Sequence, residues 1–247
     1  MVKLKIDGQE FQAEEGATIL EVAKRGGISI PALCNHDAIK PYGACRICMV
    51  EITTKGRSRL VTSCLYPVEE GLEVQTQSEK VLELRRGVLE LLLSRCPSVK
   101  VLQDMAKTMG ITKAPFAAKN EKEECILCGL CTRVCQEVVG VSAISLVSRG
   151  TQRKVAPPFE AASTVCIGCA SCAHVCPTGA VKIEDVGDTR TIHNWKVKFK
   201  LKQCKACGKY FAPQAQLDYL RKTLGLSEEH FELCQECRVK TAEPVKP

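Results

Sequence analysis

Cysteines in closely spaced groups are the feature that most restricts what this chain can fold into. The 247 residues include 17 cysteines, and all but Cys96 fall into three clustered regions. The N-terminus, MVKLKIDGQEF, has neither the apolar stretch nor the small-residue cleavage site of an export signal. Clustered C-x2-C spacings without an export signal indicate metal ligation rather than disulfides. The apolar run LELLLS (89–94) is too short to span a bilayer. We therefore expect a soluble, cytoplasmic protein without a membrane partner.

The net charge does not indicate a nucleic-acid partner, although it is formally +7. That value counts every thiol as neutral, whereas four thiolates around an oxidised cluster or a zinc ion leave about −2 per centre. About four such centres would bring the loaded protein close to neutrality. The basic residues are then counter-charge.

The first cysteine set has the spacing C-x10-C-x2-C-x15-C and consists of Cys34, Cys45, Cys48 and Cys64. This spacing resembles that of a [2Fe–2S] cluster in a ferredoxin frame related to the plant type. Gly43 and Ala44 leave room for backbone N–H groups to point at the sulfides, and Arg46 is a candidate counter-charge. A structural zinc site on the same cysteines is the alternative, but zinc ribbons usually carry C-x2-C at both ends.

An internal repeat, CILCGLCTRVC (125–135) and CIGCASCAHVCP (166–177), carries C-x2-C-x2-C-x3-C twice. This is the pattern of a ferredoxin with two [4Fe–4S] clusters, in which the fourth cysteine of each run binds the other cluster. One predicted ligand set is Cys125, Cys128, Cys131 and Cys176. The other is Cys166, Cys169, Cys172 and Cys135.

Two further C-x2-C pairs near the C-terminus are separated by 26 residues: Cys204 and Cys207, then Cys234 and Cys237. Two such knuckles are typical of a four-thiolate zinc site. A third [4Fe–4S] cluster is the alternative, because four thiolates suit both metals.

The chain is predicted to be an α+β multidomain protein in four segments. Residues 1–78 form a plant-type [2Fe–2S] ferredoxin (β-grasp) domain, with a hairpin turn at Asp7–Gly8 and a helix capped by Thr18. Residues 79–118 form a helical connector and linker, with helices beginning after Ser78 and Ser98. Residues 119–190 form a bacterial-type 2[4Fe–4S] ferredoxin domain, and residues 191–247 a four-cysteine, zinc-ribbon-like, zinc-binding module.

The segments YGACRICMVEI and LELLLSRCPSVKVLQDMAKTMGI resemble one family of electron-transfer proteins. Its members are the diaphorase small subunit of soluble NAD-linked nickel–iron hydrogenases and the N-terminal regions of the complex I large iron–sulfur subunit and of iron-only hydrogenases. In that family, one histidine and three cysteines normally hold a further [4Fe–4S] cluster in the second segment. Only Cys96 occurs there, so that cluster is expected to be absent, with Cys96 a buried or orphan thiol.

Neither a G-x-G-x-x-G fingerprint nor a P-loop is visible, and no catalytic residue is assigned. The preferred interpretation is an electron-relay subunit rather than an enzyme in its own right. The resemblance implies a flavin- and NAD(P)H-binding diaphorase partner at the [2Fe–2S] domain, and a nickel–iron hydrogenase or formate dehydrogenase beyond the cubanes. An electron-bifurcating complex and a ferredoxin partner are left open. The alternatives are a reductase whose cluster binds its own substrate, and a redox-sensing zinc-ribbon scaffold.

Overall fold

A computed structural model describes residues 1–241 of the chain, which divides into two compact units. The first unit contains residues 1–130 and 177–180, and the second contains residues 131–176 and those from 181 onward. Within residues 1–241, no helix combines the length and the apolar character needed to cross a membrane.

The first unit is built on a five-stranded mixed sheet. Its strands are β1 Val2–Ile6, β2 Gln9–Ala13, β3 Met49–Thr54, β4 Arg57–Thr62 and β5 Leu72–Gln75. They are ordered β2-β1-β5-β3-β4, with β1 and β5 parallel and all other neighbours antiparallel. This mixed sheet with one crossing helix is the arrangement expected of a β-grasp ferredoxin domain.

Local sequence explains how the sheet begins. Asp7 and Gly8 both have positive φ (49° and 81°), as a two-residue type I′ hairpin requires. Helix α1, Ile19–Arg25, starts at Thr18 with a capping box, in which Thr18 accepts from the Glu21 N–H and Glu21 accepts from the Thr18 N–H. The helix buries its apolar side in the core formed with the strands.

Two helices follow the sheet: α2, Glu79–Arg95, and α3, Lys100–Thr108. Ser78 caps α2 as predicted, because its hydroxyl accepts from the Val81 N–H. The prediction that Ser98 starts α3 is wrong. The N-cap is Val99, and the Ser98 hydroxyl instead donates to the Glu121 carbonyl. The Ser98 side chain therefore bonds to a backbone carbonyl and is not the N-cap that the sequence predicts.

The second unit contains short helices and two antiparallel sheets. Its α-helices are α4 Leu130–Arg133, α5 Ser171–His174, α6 Gln214–Leu224 and α7 Gln235–Thr241. Helix α4 begins at the division between the units and is followed by a π-helical turn, Val134–Val138. Its strands are β6 Ser145–Val147, β7 Lys154–Ala156, β8 Ile183–Val186, β9 Thr189–Ile192, β10 Val197–Gln203 and β11 Tyr210–Pro213. Single 3-10 turns occur at Gly150–Gln152, Pro158–Glu160, His193–Trp195 and Glu228–Phe231.

Strands β8 to β11 form one continuous meander, while β6 pairs only with β7. In the meander, β10 pairs with β9 on one side and with β11 on the other. The predicted boundary at 190/191 falls inside β9. The first C-terminal cysteine pair follows β10 directly, so this one strand joins the predicted dicluster segment to the four-cysteine module.

The capping box gives a test of how α1 is held. Replacing Thr18 with Ala removes the acceptor of the Glu21 N–H and should destabilise the start of the helix by about 1 kcal/mol. Amide hydrogen exchange in the first turn of α1 should then accelerate by about fivefold. Thr18→Ser keeps the hydroxyl and should leave exchange nearly unchanged. Equal acceleration in both variants would show that the hydroxyl does not hold the helix.

Candidate iron–sulfur and metal centres

The four cysteines of the first set converge inside the first unit, and all four are buried. The Cys45 N–H lies 3.4 Å from Cys34 Sγ, and the side chains of Cys45 and Cys64 both hydrogen-bond to Cys34. Those contacts lower the pKa of Cys34 to about 2. The Cys64 side chain likewise lowers the pKa of Cys48 to about 6. The pKa values of Cys45 and Cys64 are raised, chiefly by their bonds to Cys34. Two of the four thiols thus lose their protons readily while the other two donate hydrogen bonds to them, and together they form a compact set of sulfur donors.

The loop before β3 is tightly constrained where it presents these sulfurs. Gly43 has φ of 72°, and a Cβ there would lie 2.4 Å from Cδ1 of Leu65, so a larger residue would collide with the segment that follows Cys64. Arg46 also has positive φ (59°), and its side chain is exposed. Solvent therefore screens the positive charge of Arg46, which was expected to offset the negative charge of the cluster.

The two copies of the repeat share an unusual backbone conformation. Leu127 and Gly168 occupy the same position in their copies, with φ of 55° and 71°. Gly129 and Ala170 occupy another common position, with φ of 77° and 66°. Each copy thus places one glycine and one non-glycine residue in the left-handed region, which costs about 1–3 kcal/mol for the non-glycine residue. In the second copy, the Gly168 N–H donates to the Cys166 sulfur.

Four cysteines of the second predicted cubane set line one cavity in the second unit: Cys135, Cys166, Cys169 and Cys172. Backbone N–H groups point at their sulfurs, including the Ala143 N–H at 3.2 Å from Cys135 Sγ. Burial raises the pKa values of Cys135 and Cys166, and that of Cys172 to about 11. An apolar wall that includes Ile144 and Ile192 completes the cavity.

Trp195 is a member of this site that the cysteine motifs do not reveal. Its indole Nε1–H lies 3.4 Å from Cys172 Sγ, and its ring is buried. Phe199 on β10 packs on the cysteine loop so closely that a Cβ at Gly168 would lie 2.6 Å from the phenyl ring. Trp195 is the only tryptophan in the sequence. It follows β9, and only the fold brings it to the cysteines.

The remaining repeat cysteines are divided between the two units. Cys125 and Cys128 belong to the first unit, and Cys131 and Cys176 to the second. Cys128 and Cys131 are buried, while Cys125 and Cys176 are partly exposed. Their assignment to a single cluster stays a prediction.

The C-terminal set is a compact cysteine group. The sulfurs of Cys204, Cys207, Cys234 and Cys237 all lie within 4.8 Å of one another, and those of Cys207 and Cys234 are 3.8 Å apart. The Cys234 N–H, 3.3 Å from Cys204 Sγ, is the main cause that lowers the pKa of Cys204 to about 6. Hydrogen bonding to Cys207 chiefly raises the pKa of Cys237 to about 12.

Two lysines beside this group form ion pairs within the module. Lys205 on the first knuckle forms an ion pair with Glu232, and Lys209 pairs with Glu236 at 3.4 Å. These lysines therefore tie the first knuckle to the second instead of forming an unpaired basic surface.

Cys96, the cysteine outside the four sets, is fully buried, as expected. Burial is the main cause that raises its pKa to about 12. Cys96 is therefore a neutral apolar side chain of the core.

Two regions of the chain match protein-family models. Residues 1–79 match a 2Fe-2S iron-sulfur cluster binding domain, and residues 159–210 match a 4Fe-4S dicluster domain. The second match runs through Trp195 and β10, across the predicted boundary at residue 190.

Several curated proteins are similar to this chain. The NADP-reducing hydrogenase subunit HndD of Solidesulfovibrio fructosivorans is 37% identical over 211 residues, which cover 73% of this chain and 36% of that protein. The NADPH-Fe(3+) oxidoreductase subunit alpha of Geobacter sulfurreducens is 35% identical over 204 residues, covering 73% and 24%. A subunit of the NADH-quinone oxidoreductase of Rhizobium meliloti is 34% identical over 206 residues, also covering 73% and 24%. The matched parts thus span about a quarter to a third of these relatives.

A solved structure of a related kind of enzyme is also similar to this chain. A chain of the NAD+-reducing [NiFe]-hydrogenase in its H2-reduced state superposes with a TM-score of 0.61 and 28% sequence identity, covering 72% of this chain and 86% of that chain. Together with the two ferredoxin domains and their cysteine sets, these similarities show that the chain belongs to the family of iron–sulfur electron-transfer subunits related to the diaphorase small subunit of NAD-linked hydrogenases and to the N-terminal region of the complex I large iron–sulfur subunit.

Proposed function

We propose that this chain relays single electrons between a flavin-containing, NAD(P)H-oxidising subunit and a second redox enzyme. A nickel–iron hydrogenase is the preferred second enzyme and a formate dehydrogenase the alternative, with an electron-bifurcating complex as one setting. The observation that carries the proposal is the presence of a convergent, buried four-cysteine set in a β-grasp domain together with a dicluster repeat in the same chain. The similar curated proteins belong, by name, to hydrogenases and NAD(P)H oxidoreductases.

The first set suits a [2Fe–2S] cluster held by Cys34, Cys45, Cys48 and Cys64. All four cysteines are buried, and hydrogen bonds link Cys34 to Cys45 and Cys64, and Cys64 to Cys48. Such a cluster needs four thiolates, with N–H groups to offset their charge. The Cys45 N–H supplies one of these to Cys34.

The repeat suits two [4Fe–4S] clusters. One apolar cavity is surrounded by Cys166, Cys169, Cys172 and Cys135, which would hold one cubane. The Ala143 N–H and the Trp195 indole donate to the sulfurs of Cys135 and Cys172. By the same exchange of the fourth cysteine, Cys125, Cys128, Cys131 and Cys176 would hold the other. Four thiolates per cubane leave no open iron for a substrate, which favours electron transfer over a reductase.

The C-terminal set suits zinc better than a third cubane. Four sulfurs at about 2.3 Å from one zinc ion lie about 3.8 Å from each other in tetrahedral geometry. The observed separation of the Cys207 and Cys234 sulfurs is 3.8 Å. In a cubane each thiolate binds a different iron, so its ligands must lie farther apart. Zinc has no redox chemistry, and we assign this zinc-ribbon-like module to a subunit contact.

The residues of this chain would hold electron carriers, and hydride transfer would take place in the partner subunit. Bound clusters would supply one-electron transfer, while the protein supplies thiolates, N–H hydrogen bonds and burial, which set the reduction potentials. The flavin partner would divide the two electrons of NAD(P)H into single electrons at the [2Fe–2S] domain.

Cys45→Ser tests electron entry through the first set. Removing one thiolate should slow reduction of the cubanes by NAD(P)H at least about tenfold in the complex purified with its partner subunits. Chemical reduction by dithionite should still give both cubane signals in electron paramagnetic resonance, because those ligands are untouched.

Cys96→Ala is the matched control, since it removes a buried cysteine that belongs to no set. NAD(P)H should reduce its cubanes at the normal rate. Loss of the cubane signals in Cys45→Ser, or unimpaired reduction by NAD(P)H in that variant, would contradict the proposed entry route.

Cys207→Ser tests the metal at the C-terminal set. Bound zinc should fall from about one per chain to a small fraction, because one of four tetrahedral ligands is weakened. Iron and sulfide should be unchanged, and assembly with the partner subunits should weaken.

Ala206→Ser, at an exposed position in the same knuckle, should keep both zinc and assembly. Retained assembly in Cys207→Ser combined with a loss of about four iron per chain would show that this site holds a cluster.

A further inference from the structure

Arg85 is a buried cation for which the described residues offer no carboxylate ion pair. It lies on α2, and only 2% of its surface is exposed. Both Nε and Nη2 donate to the Met49 carbonyl, at 3.0 and 2.6 Å. No carboxylate within residues 1–241 lies within 4 Å of this guanidinium. Burying a charge without a partner is costly, so a buried arginine indicates nearby negative charge.

The negative groups that act on Arg85 are at the first cysteine set and at the β1–β2 turn. Burial lowers the pKa of Arg85, while Cys48 and Asp7 favour its charged form. Asp7 itself is engaged by the backbone N–H and hydroxyl of Thr76. Met49, whose carbonyl anchors the guanidinium, directly follows Cys48. The two hydrogen bonds therefore fix the cation beside the chain that carries a sulfur of the first set.

We propose that Arg85 is the buried counter-charge of the [2Fe–2S] site and raises its reduction potential. The inference rests on the cluster assignment of the proposed function and adds a residue outside the matched residues 1–79. A bound [2Fe–2S] cluster accepts one electron, here from the reduced flavin of the partner, with no bond made or broken. The net charge of the cluster together with its four thiolates then changes from about −2 to about −3. A fixed positive charge in a low-dielectric surrounding favours the more negative form.

Position distinguishes Arg85 from the other arginines near the site. Arg46 lies between two cysteines of the set but is exposed, and its effect should diminish with salt. Arg86, next to Arg85 on α2, is exposed and pairs with Glu90 at 3.2 Å. Neutralising Arg46 or Arg86 changes the net charge of the chain by one unit, as neutralising Arg85 does, so these two arginines are matched controls.

The test is a redox titration of the [2Fe–2S] signal by electron paramagnetic resonance in the full chain, purified anaerobically. Arg85→Gln should lower the ratio of reduced to oxidised cluster at a fixed potential at least about tenfold, a downward shift of about 59 mV for one electron. Arg85→Lys keeps the charge and should shift the ratio much less. Arg46→Gln and Arg86→Gln should shift it less than about threefold at physiological salt.

An unshifted potential in Arg85→Gln with an intact cluster signal would overturn the inference, as would an equal shift in Arg86→Gln. If Arg85→Gln retains no cluster, loading of Arg85→Lys at nearly the native potential supports the role of charge, and its failure to load overturns it. Absence of any [2Fe–2S] signal from the unmodified chain would overturn the cluster assignment itself, which is a separate result.

Discussion

Four thiolates held in a small buried space repel one another, and the structure around each cysteine set reflects the need to offset that charge. In the first set, N–H groups and shared protons lower the pKa values of Cys34 and Cys48. In the second predicted cubane set, the Ala143 N–H and the Trp195 indole donate to cysteine sulfurs. In the C-terminal set, the Cys234 N–H donates to Cys204. The same physical requirement has different solutions in the three sites.

Backbone conformation is the other cost of these sites. Left-handed positions recur in the cysteine loops, and in the repeat the glycine changes place between copies while the conformation stays the same. A sequence comparison of the two copies would align Leu127 with Gly168 and suggest that glycine is dispensable there. The structure shows instead that both copies have the left-handed conformation at this position, which Leu127 adopts under strain.

Local signals were sufficient for most of the fold, because turns and caps depend on neighbouring residues. Asp7–Gly8, Thr18 and Ser78 each act as predicted. Ser98 does not, because the Glu121 carbonyl, distant in sequence, takes its hydroxyl. In the first and last sets, cysteines that the spacing groups together lie close to one another, while their roles as cluster or metal ligands stay a prediction. Arg85 and Trp195 could not be found this way, since tertiary packing alone brings Arg85 to the Met49 carbonyl and Trp195 to the Cys172 sulfur.

We propose that one chain combines a binuclear cluster, two cubanes and a structural zinc. Iron, acid-labile sulfide and zinc measured per chain on the anaerobically purified protein test it most directly. We expect about ten iron, ten sulfide and one zinc. About fourteen iron without zinc would make the C-terminal set a redox centre, and iron without matching sulfide would contradict the cluster assignments.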